Sequence, residues 1–513
     1  MPESVEPNVL VNAVLGKITD VLLNGDGQVI PKSDDHFVAF SSPGTPILNE
    51  DFNYALEGFG GVVRQNVDED DLENSVGPKD EEQEPDGPAP DQLMAQDARE
   101  KYMRAESFFN IVDLVPDTSG IIDSGRINTW NPETRVSKVY AMALEQSQVV
   151  DNEPDEETKR KLERWRGLLK KTVKVTDIVT EEEVEQVQDS DIVKAYNEKM
   201  FEYLGAALEY NNLRISALTG SDQEAVHRFA TNASLLQMKV RAAMNAWSGA
   251  GHKGDVEKLN AAIQSVEDRA FVLLKQRYKE DFSRSILTNP STGSNFLYSQ
   301  PASASFARDE SGWSEFYFNS GSFASNYKFA SDSTAGGGAF AFGPFVAGGS
   351  GSVERQEWNN KIDTSRFKMR FKLARSTVAR PWFNLDFLLS AFWRFDQNNT
   401  IVRNAMISDG ERPANGLLPA IITDVIFVRD LELDFGESNS EFERKTKEVS
   451  GGGGVAFGPF HIGGRHTSTN DDRTYEAHWS SQGVKINGMQ IIGFICYMLP
   501  KSPDPHPEIT SWI

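Results

Sequence analysis

Several histidines near the C-terminal end of the chain are candidate metal ligands. His461, His466 and His478 are accompanied by Asp471 and Asp472, and both residue types can bind transition metals. Their five-residue spacing within a glycine-rich stretch matches no strong zinc pattern, and the chain has a single cysteine. We therefore predict that these residues do not form a metal site.

The segment 249–254 has the sequence Gly-Ala-Gly-His-Lys-Gly, which matches a dinucleotide-binding pattern. The pattern requires a strand before the glycines, whereas a helix is predicted here, so we interpret the segment as a turn between helices. Cys496 lies in an apolar stretch, where a thiol is usually unreactive. The chain has no Walker loop, no serine-nucleophile elbow and no His-Glu-x-x-His motif. We therefore predict no catalytic residues, no cofactor and a protein that is not an enzyme.

One five-residue sequence occurs twice. Ala341–Phe345 reads Ala-Phe-Gly-Pro-Phe and recurs 115 positions later as Ala456–Phe460, with runs of glycine on both sides of each copy. The Gly-Pro step predicts a turn, because proline fixes one backbone angle and glycine frees another. The repeat therefore predicts two related glycine-rich hairpins.

Two hypotheses assign a role to these hairpins. In the first, their aromatic rings project and contact a partner or a membrane interface; in the second, the rings fill the core of the protein. His461, Arg465 and His466 beside the second copy are poorly suited to a bilayer interior. Trp382 is interpreted mainly as a residue that covers the core. The candidate interaction or insertion residues are Phe340, Phe342, Pro344, Phe345, Phe457, Pro459, Phe460 and Trp382.

Helix signals are concentrated between residues 155 and 288. Acidic first turns follow Pro154 and Thr180, and Ser221 opens a capping box, so each of these residues predicts a helix start. A further helix is predicted from Val256 to Pro290. Short connections make neighbouring helices antiparallel, so the sequence predicts a long antiparallel helical bundle.

Strand signals dominate the C-terminal part of the chain. Residues 366–373 alternate between basic and apolar side chains, and residues 430–435 alternate between acidic and apolar ones. Period-two alternation is typical of a strand with one buried face. Because the charges are opposite, we predict that these two strands are antiparallel neighbours. The apolar stretch 490–499 predicts a central strand.

These signals predict an α+β protein in which a long antiparallel helical bundle precedes a C-terminal β-sandwich-like domain with two glycine-rich hairpins. Residues 67–91 contain eleven acidic residues and one lysine, a composition typical of a disordered linker. The predicted divisions are a small N-terminal segment (1–66), the acidic linker (67–91), a mixed connecting region (92–154), the helical bundle (155–288) and the β-rich domain (291–513).

Charge and composition restrict the function further. The net charge is −24, with 76 acidic and 52 basic residues, which argues against nucleic acid as a partner. No apolar stretch is long enough for a membrane-spanning helix, and the N-terminus lacks the basic region of an ordinary secretory signal. We therefore expect a protein that is cytoplasmic or released without a signal peptide.

Several sequence blocks in the C-terminal half of the chain resemble those of other proteins. Arg380–Trp382, the stretch 418–430, the Phe-Gly-Pro-Phe hairpin, Gln490–Gly493 and Pro500–Pro503 resemble blocks in a set of uncharacterised microbial proteins of similar length. The resemblance covers the C-terminal half and, more loosely, the helices. It implies a shared domain layout and no particular activity.

The leading functional hypothesis is a non-catalytic interaction or assembly protein that uses the hairpins and the helical bundle for protein contacts. Its partner would be a second copy of the chain or another protein. The alternative hypothesis is a membrane-active, pore-forming, toxin-like protein whose twin hairpins insert into a bilayer, because β-pores close without exposed strand edges.

Overall fold

A computed structural model gives the fold of much of the chain. The described residues are 4–23, 35–59, 90–118, 121, 127–129, 134–150, 156–176, 183–219, 223–267, 271–302, 304–335, 345–349, 352–356, 361–436, 439–449, 454–467, 472–475, 477–480 and 483–513.

The N-terminal elements combine helices with short strands. In chain order they are β1 (Ser4–Val5), α1 (Pro7–Leu23), β2 (His36–Ile47), α2 (Asn53–Glu57), α3 (Pro90–Val112), β3 (Ile127–Thr129), α4 (Val136–Glu145) and β4 (Ser147–Val149). The middle of the chain is mostly helical and comprises α5 (Glu156–Leu169), β5 (Lys170–Thr176), β6 (Glu183–Asp189), α6 (Asp191–Thr219), α7 (Gln223–Ser248), α8 (Lys253–Glu267) and α9 (Phe271–Arg284).

Strands dominate from residue 286 onwards. They are β7 (Ile286–Thr288), β8 (Asn295–Leu297), β9 (Gln300–Pro301), β10 (Ser314–Phe318), β11 (Phe345–Gly349), β12 (Ser352–Gln356), β13 (Ile362–Asp363), β14 (Lys368–Ala379), β15 (Trp393–Phe395), β16 (Ala420–Asp434), β17 (Gly454–Phe457), β18 (Phe460–Thr467), β19 (Asp472–Tyr475), β20 (Ala477–Ser480) and β21 (Gly483–Met498). The helices among them are α10 (Ser320–Ala335), α11 (Leu385–Leu389) and α12 (Asn439–Val449). The structure confirms the predicted mixture of helices and antiparallel strands.

The largest sheet joins the two ends of the chain. Among the described residues it has eight strands, with the order β10-β14-β16-β21-β2-β3; β20 also pairs with β21 and β9 with β14. Strand β21 lies between β16 and β2, which confirms the central position predicted for the apolar stretch 490–499. Because β2 comes from the predicted N-terminal segment, that segment is part of the same sheet as the C-terminal strands.

The predicted pairing of the basic and acidic strands is also confirmed. Strands β14 and β16 are antiparallel, with Lys368 opposite Asp434 and Arg370 opposite Glu432. The Lys372 Nζ lies 3.4 Å from a carboxylate oxygen of Asp430. These charges lie on the exposed face, while the alternate side chains are buried. Charge alternation therefore identified the partner strand.

A second sheet contacts the first through its strands β17 and β18. Within the described residues it has five strands in the order β12-β11-β17-β18-β19. The two copies of the repeat meet in this sheet, because β11 pairs with β17 and Val346 lies opposite Ala456. Apolar residues of β17 and β18 share one hydrophobic cluster with α1 and with alternate residues of β2, such as Val38 and Phe40. The intervening residues Phe37 and Ala39 belong to a separate cluster on the opposite face.

The helical region differs from the prediction at two points. The helix predicted to begin at Thr180 begins at Asp191, and residues 170–176 and 183–189 form an antiparallel hairpin instead. Val173 and Val175 alternate with polar side chains in the first strand, and both strands contain two β-branched valines, which favours strands over helices. The helix predicted from Val256 to Pro290 is two helices, α8 and α9. The turn predicted at 249–254 is confirmed at 249–252, between α7 and α8, whereas Lys253 and Gly254 already belong to α8.

Candidate functional site

Trp382, one of the predicted interaction residues, belongs to the core. Its side chain is buried, and its indole N–H donates a 3.2 Å hydrogen bond to Ser299 Oγ. The rings of Phe109, Phe282 and Phe383 lie around it. Because the indole has no accessible face, the prediction that Trp382 contacts a partner is wrong, and its interpretation as a core-covering residue is confirmed.

The phenylalanines of the second repeat copy are also buried. Phe457 is 1% exposed and Phe460 is 0% exposed. The Phe457 ring lies 5.4 Å from that of Phe435, and the Phe460 ring lies 5.4 Å from that of Phe371. Both rings therefore fill the space between the two sheets, so the hypothesis that they project outward is wrong.

The turn between these rings is enclosed by three distant segments. A Cβ atom on Gly458 would lie 2.6 Å from Val11 of α1, and one on Gly44 would lie 2.4 Å from the Pro459 carbonyl oxygen. Pro459 itself is buried. The side-chain amide of Gln490 accepts a 2.7 Å bond from the His461 backbone N–H and donates a 3.2 Å bond to its carbonyl. The hairpin is therefore fastened to the central strand through its own backbone.

The first repeat copy is described only in part. Phe340, Phe342 and Pro344 lie outside the described residues, and Phe345 begins β11. The role predicted for this copy therefore stays a prediction, whereas the second copy is part of the core.

The long helices α6 and α7 form an antiparallel pair that presents apolar side chains to solvent. The opposed direction follows from ring contacts, because Tyr203 stacks on Trp247 while Tyr210 lies beside Phe229. The pair has a small buried cluster of its own, formed by Ala206, Tyr210, Leu236 and Val240. We call α6 and α7 together the helical pair.

Each helix of the helical pair carries two exposed apolar side chains three positions apart. Leu235 and Met238 on α7 are 60% and 59% exposed, and Phe201 and Leu204 on α6 are 47% and 43% exposed. Residues three apart are neighbours on a helix surface, so each helix carries an adjacent pair of exposed apolar side chains. The sequence predicted a helical bundle in this region but did not identify these four side chains as exposed.

The charge of the helical pair differs from that of the whole chain. Residues 191–219 and 223–248 contain five acidic and six basic residues, whereas the chain carries a net charge of −24. Several of these charges neutralise one another locally, as in the contact between Lys239 and Glu209. The pair is therefore a nearly neutral surface on a strongly acidic protein.

A separate cavity of about 340 Å³ lies between α2, the end of α9 and the strands β7 and β8. Aromatic side chains form much of its wall, and Arg284 lies at its edge. No sequence motif predicted this cavity, because its residues come from three separated segments. Its lining residues are Tyr54, Gly58, Phe59, Arg284, Ser285, Leu287 and Tyr298.

The titratable groups in the described part of the chain can be compared with the geometry of a metal site. No group of three or more His, Cys, Asp or Glu side chains is placed there to hold a metal ion. His461 is fully buried beside Gln490, and burial raises the pKa of Cys496 well above its usual value. A buried thiol of this kind is a weak nucleophile, as the sequence predicted.

A partly buried lysine makes stability depend on pH. The Lys17 ammonium donates hydrogen bonds to the Tyr317 carbonyl and to Ser322 Oγ, at 2.8 and 2.9 Å. Burial lowers the pKa of Lys17 from 10.5 to about 8. Between these two pH values the unfolded chain binds more protons than the folded one, so the free energy of unfolding should rise with pH.

We expect Lys17→Met to reduce this rise, measured by urea unfolding at several pH values between about 8 and 9.5. A residual rise should persist, because burial also lowers the pKa of Lys275 to about 8. Equal pH dependence in the wild type and the variant would contradict the prediction.

Comparison with known proteins gives no family assignment, since no family model, no curated protein and no solved structure matches the chain. Among the helices in the described ranges, none has the length and apolar character needed to cross a membrane.

Proposed function

We propose that this protein is a non-catalytic assembly protein that associates with a second copy of itself through the helical pair. The observation that carries the proposal is the exposure of Leu235, Met238, Phe201 and Leu204 on two long helices. Packing these side chains against the same surface of a second copy would remove their apolar area from water.

The dimensions of the pair suit a stable dimer. Helix α7 has 26 residues and is therefore about 39 Å long. Two adjacent helices with axes about 9 Å apart present a face about 20 Å wide. The resulting area of about 800 Å² per copy equals that of a standard protein–protein interface.

The charge distribution favours a second copy as the partner. Most of a chain with a net charge of −24 would repel another copy. The helical pair, with five acidic and six basic residues, is a region where two copies can meet without that repulsion. The charge distribution and the exposed apolar side chains therefore both favour the helical pair as the contact surface.

We further infer that α5 and α8 extend the helical pair into an antiparallel bundle, and that the two sheets form a sandwich-like unit. Contacts of α8 with α5, α6 and α7 support the first inference. The hydrophobic cluster shared by the two sheets supports the second. In this architecture the β unit supplies stability and the bundle supplies the contact surface.

The proposal predicts that the full-length protein is a dimer at micromolar concentration. The double variant Leu235→Ser, Met238→Ser should raise the dissociation constant at least about tenfold, because it removes two apolar side chains from the interface. Sedimentation equilibrium measures this constant directly. Ile401→Ser is the matched control, because Ile401 is 87% exposed and lies outside the helical pair.

A wild-type protein that is strictly monomeric at micromolar concentration would overturn the proposal. Equal weakening of the dimer by the double variant and by Ile401→Ser would also overturn it. Circular dichroism of each variant separates loss of association from loss of helix. No observation of comparable weight favours the membrane-active alternative, since Phe457 and Phe460 lie in the protein's own core.

A further inference from the structure

The two tyrosine hydroxyls at the aromatic cavity beside α9 are hydrogen-bonded within the protein. Tyr54 donates a 2.9 Å hydrogen bond from its hydroxyl to the Ser299 carbonyl, and Tyr298 donates a 2.5 Å bond to Gln300 Oε1. Because both hydroxyls have partners within the fold, what the two tyrosines offer to a ligand is mainly the apolar surface of their rings.

Neighbouring rings hold these walls in place. Phe59 stacks on Tyr102 with 4.3 Å between ring centroids, and the rings of Tyr54 and Tyr298 meet edge to face. Phe59 also lies in a stacked orientation 6.1 Å from Tyr54. A rigid aromatic wall of this kind reduces the conformational entropy that a ligand must overcome on binding.

The charged group at the cavity is a cation. The side chain of Arg284 is 62% exposed, and one of its nitrogens lies 3.5 Å from a Glu280 oxygen. A guanidinium group has five N–H donors, so this long contact leaves donors for another acceptor. A carboxylate is the acceptor that matches guanidinium geometry best, because it can accept two parallel hydrogen bonds.

We propose that this cavity binds a small aromatic carboxylate. The ligand's ring packs against Tyr54, Phe59 and Tyr298, and its carboxylate binds the Arg284 guanidinium at the cavity edge. The volume of about 340 Å³ lies within the range of small-molecule sites, about 300–1,000 Å³. The site is independent of the helical pair and of self-association.

Phenylacetate is a suitable probe, with benzyl alcohol as its neutral analogue and benzylamine as its cationic one. Binding to the full-length protein can be measured by ligand-observed NMR titration in the millimolar range. We expect phenylacetate to bind more tightly than benzyl alcohol, and benzylamine to bind most weakly, because Arg284 attracts the anion and repels the cation.

Two variants test the two halves of the site. Arg284→Gln should weaken phenylacetate binding about tenfold and leave benzyl alcohol binding unchanged, because it removes only the charged hydrogen bonds. Leu287→Trp should abolish binding of both by filling the cavity. Glu280→Gln is a control that keeps Arg284 and should not weaken phenylacetate.

Absence of phenylacetate binding at millimolar concentration would overturn the proposal. Equal binding of phenylacetate by the wild type and Arg284→Gln would overturn the assignment of a carboxylate ligand. Binding that survives in a correctly folded Leu287→Trp variant would overturn the location of the site; near-UV circular dichroism reports whether the variant keeps its native tertiary packing.

Discussion

Replacing Phe460 with alanine is expected to lower the free energy of unfolding by about 3–5 kcal/mol. The ring is fully buried between the two sheets and contacts Phe371 of the neighbouring sheet. Truncation removes the apolar surface of the ring and leaves a cavity that surrounding backbone cannot easily fill. Gly44 and Gln490 hold that backbone close to the turn.

Chemical denaturation followed by tryptophan fluorescence measures this change. Ile401→Ala is the control, since Ile401 is 87% exposed and lies outside the helical pair, so truncating its side chain should cost less than about 1 kcal/mol. Equal costs for the two variants would mean that Phe460 is not a core residue, and the hypothesis of a projecting hairpin would return.

The repeat shows why local sequence did not settle where these rings lie. Phe-Gly-Pro-Phe predicts a tight turn with a ring on either side, and the same turn suits a projecting tip or a buried one. The outcome depends on Val11, Gly44 and Gln490, which lie far away in the sequence and surround the turn only after folding. Turn chemistry is local, whereas burial depends on the tertiary partners.

The paired strands β14 and β16 show the opposite case. Their alternation fixes which face of each strand is buried, and their opposite charges identify each other as partners. Both signals can be found within a short stretch of each strand. A shift of the strand pairing by one residue would turn every charged side chain toward the core. The sequence was therefore sufficient to predict both the pairing and its orientation.

The hairpin β5–β6 was missed because two local signals disagreed. Acidic residues after Thr180 resemble the first turn of a helix, but alternating valines favour a strand, and the strand formed.

The exposed residues of the helical pair were missed for a different reason. Helical spacing predicts an apolar stripe but does not predict how much of it the neighbouring elements cover.

The sequence contains no signal that predicts the aromatic cavity. Tyr54 and Phe59 precede Arg284 by more than 200 positions, and Tyr298 belongs to a different turn again. No spacing rule connects such residues, because they meet through the packing of α2 against the end of α9 and the adjoining strands. A site of this kind can be found only in three dimensions.

The arginine of the Arg-Pro-Trp block at residues 380–382 has a structural role, as its tryptophan does. Arg380 donates 2.8 Å hydrogen bonds to the carbonyl oxygens of Val112 and Ile422, joining the end of α3 to the central sheet. Burial lowers the pKa of Arg380 to about 10, and the nearby Asp113 carboxylate opposes this shift. Asp113 in turn accepts bonds from the Ser137 N–H and hydroxyl at the start of α4.

We expect Arg380→Met to lower the free energy of unfolding by about 3–5 kcal/mol, because the carbonyl oxygens of Val112 and Ile422 lose the hydrogen bonds that Arg380 donates, and the Asp113 carboxylate loses one of the positive charges near it. Arg370→Met on β14 is the matched control: Arg370 pairs with Glu315 at 3.0 Å in an exposed position, so its loss should cost less than about 1 kcal/mol. Combining Arg380→Met with Asp113→Asn should cost less than the sum of the two single changes, because the double variant removes both charges of the interacting pair. Urea unfolding of the four proteins in this cycle measures the coupling, and strictly additive costs would show that Arg380 stabilises the fold through its two carbonyl contacts without any contribution from Asp113.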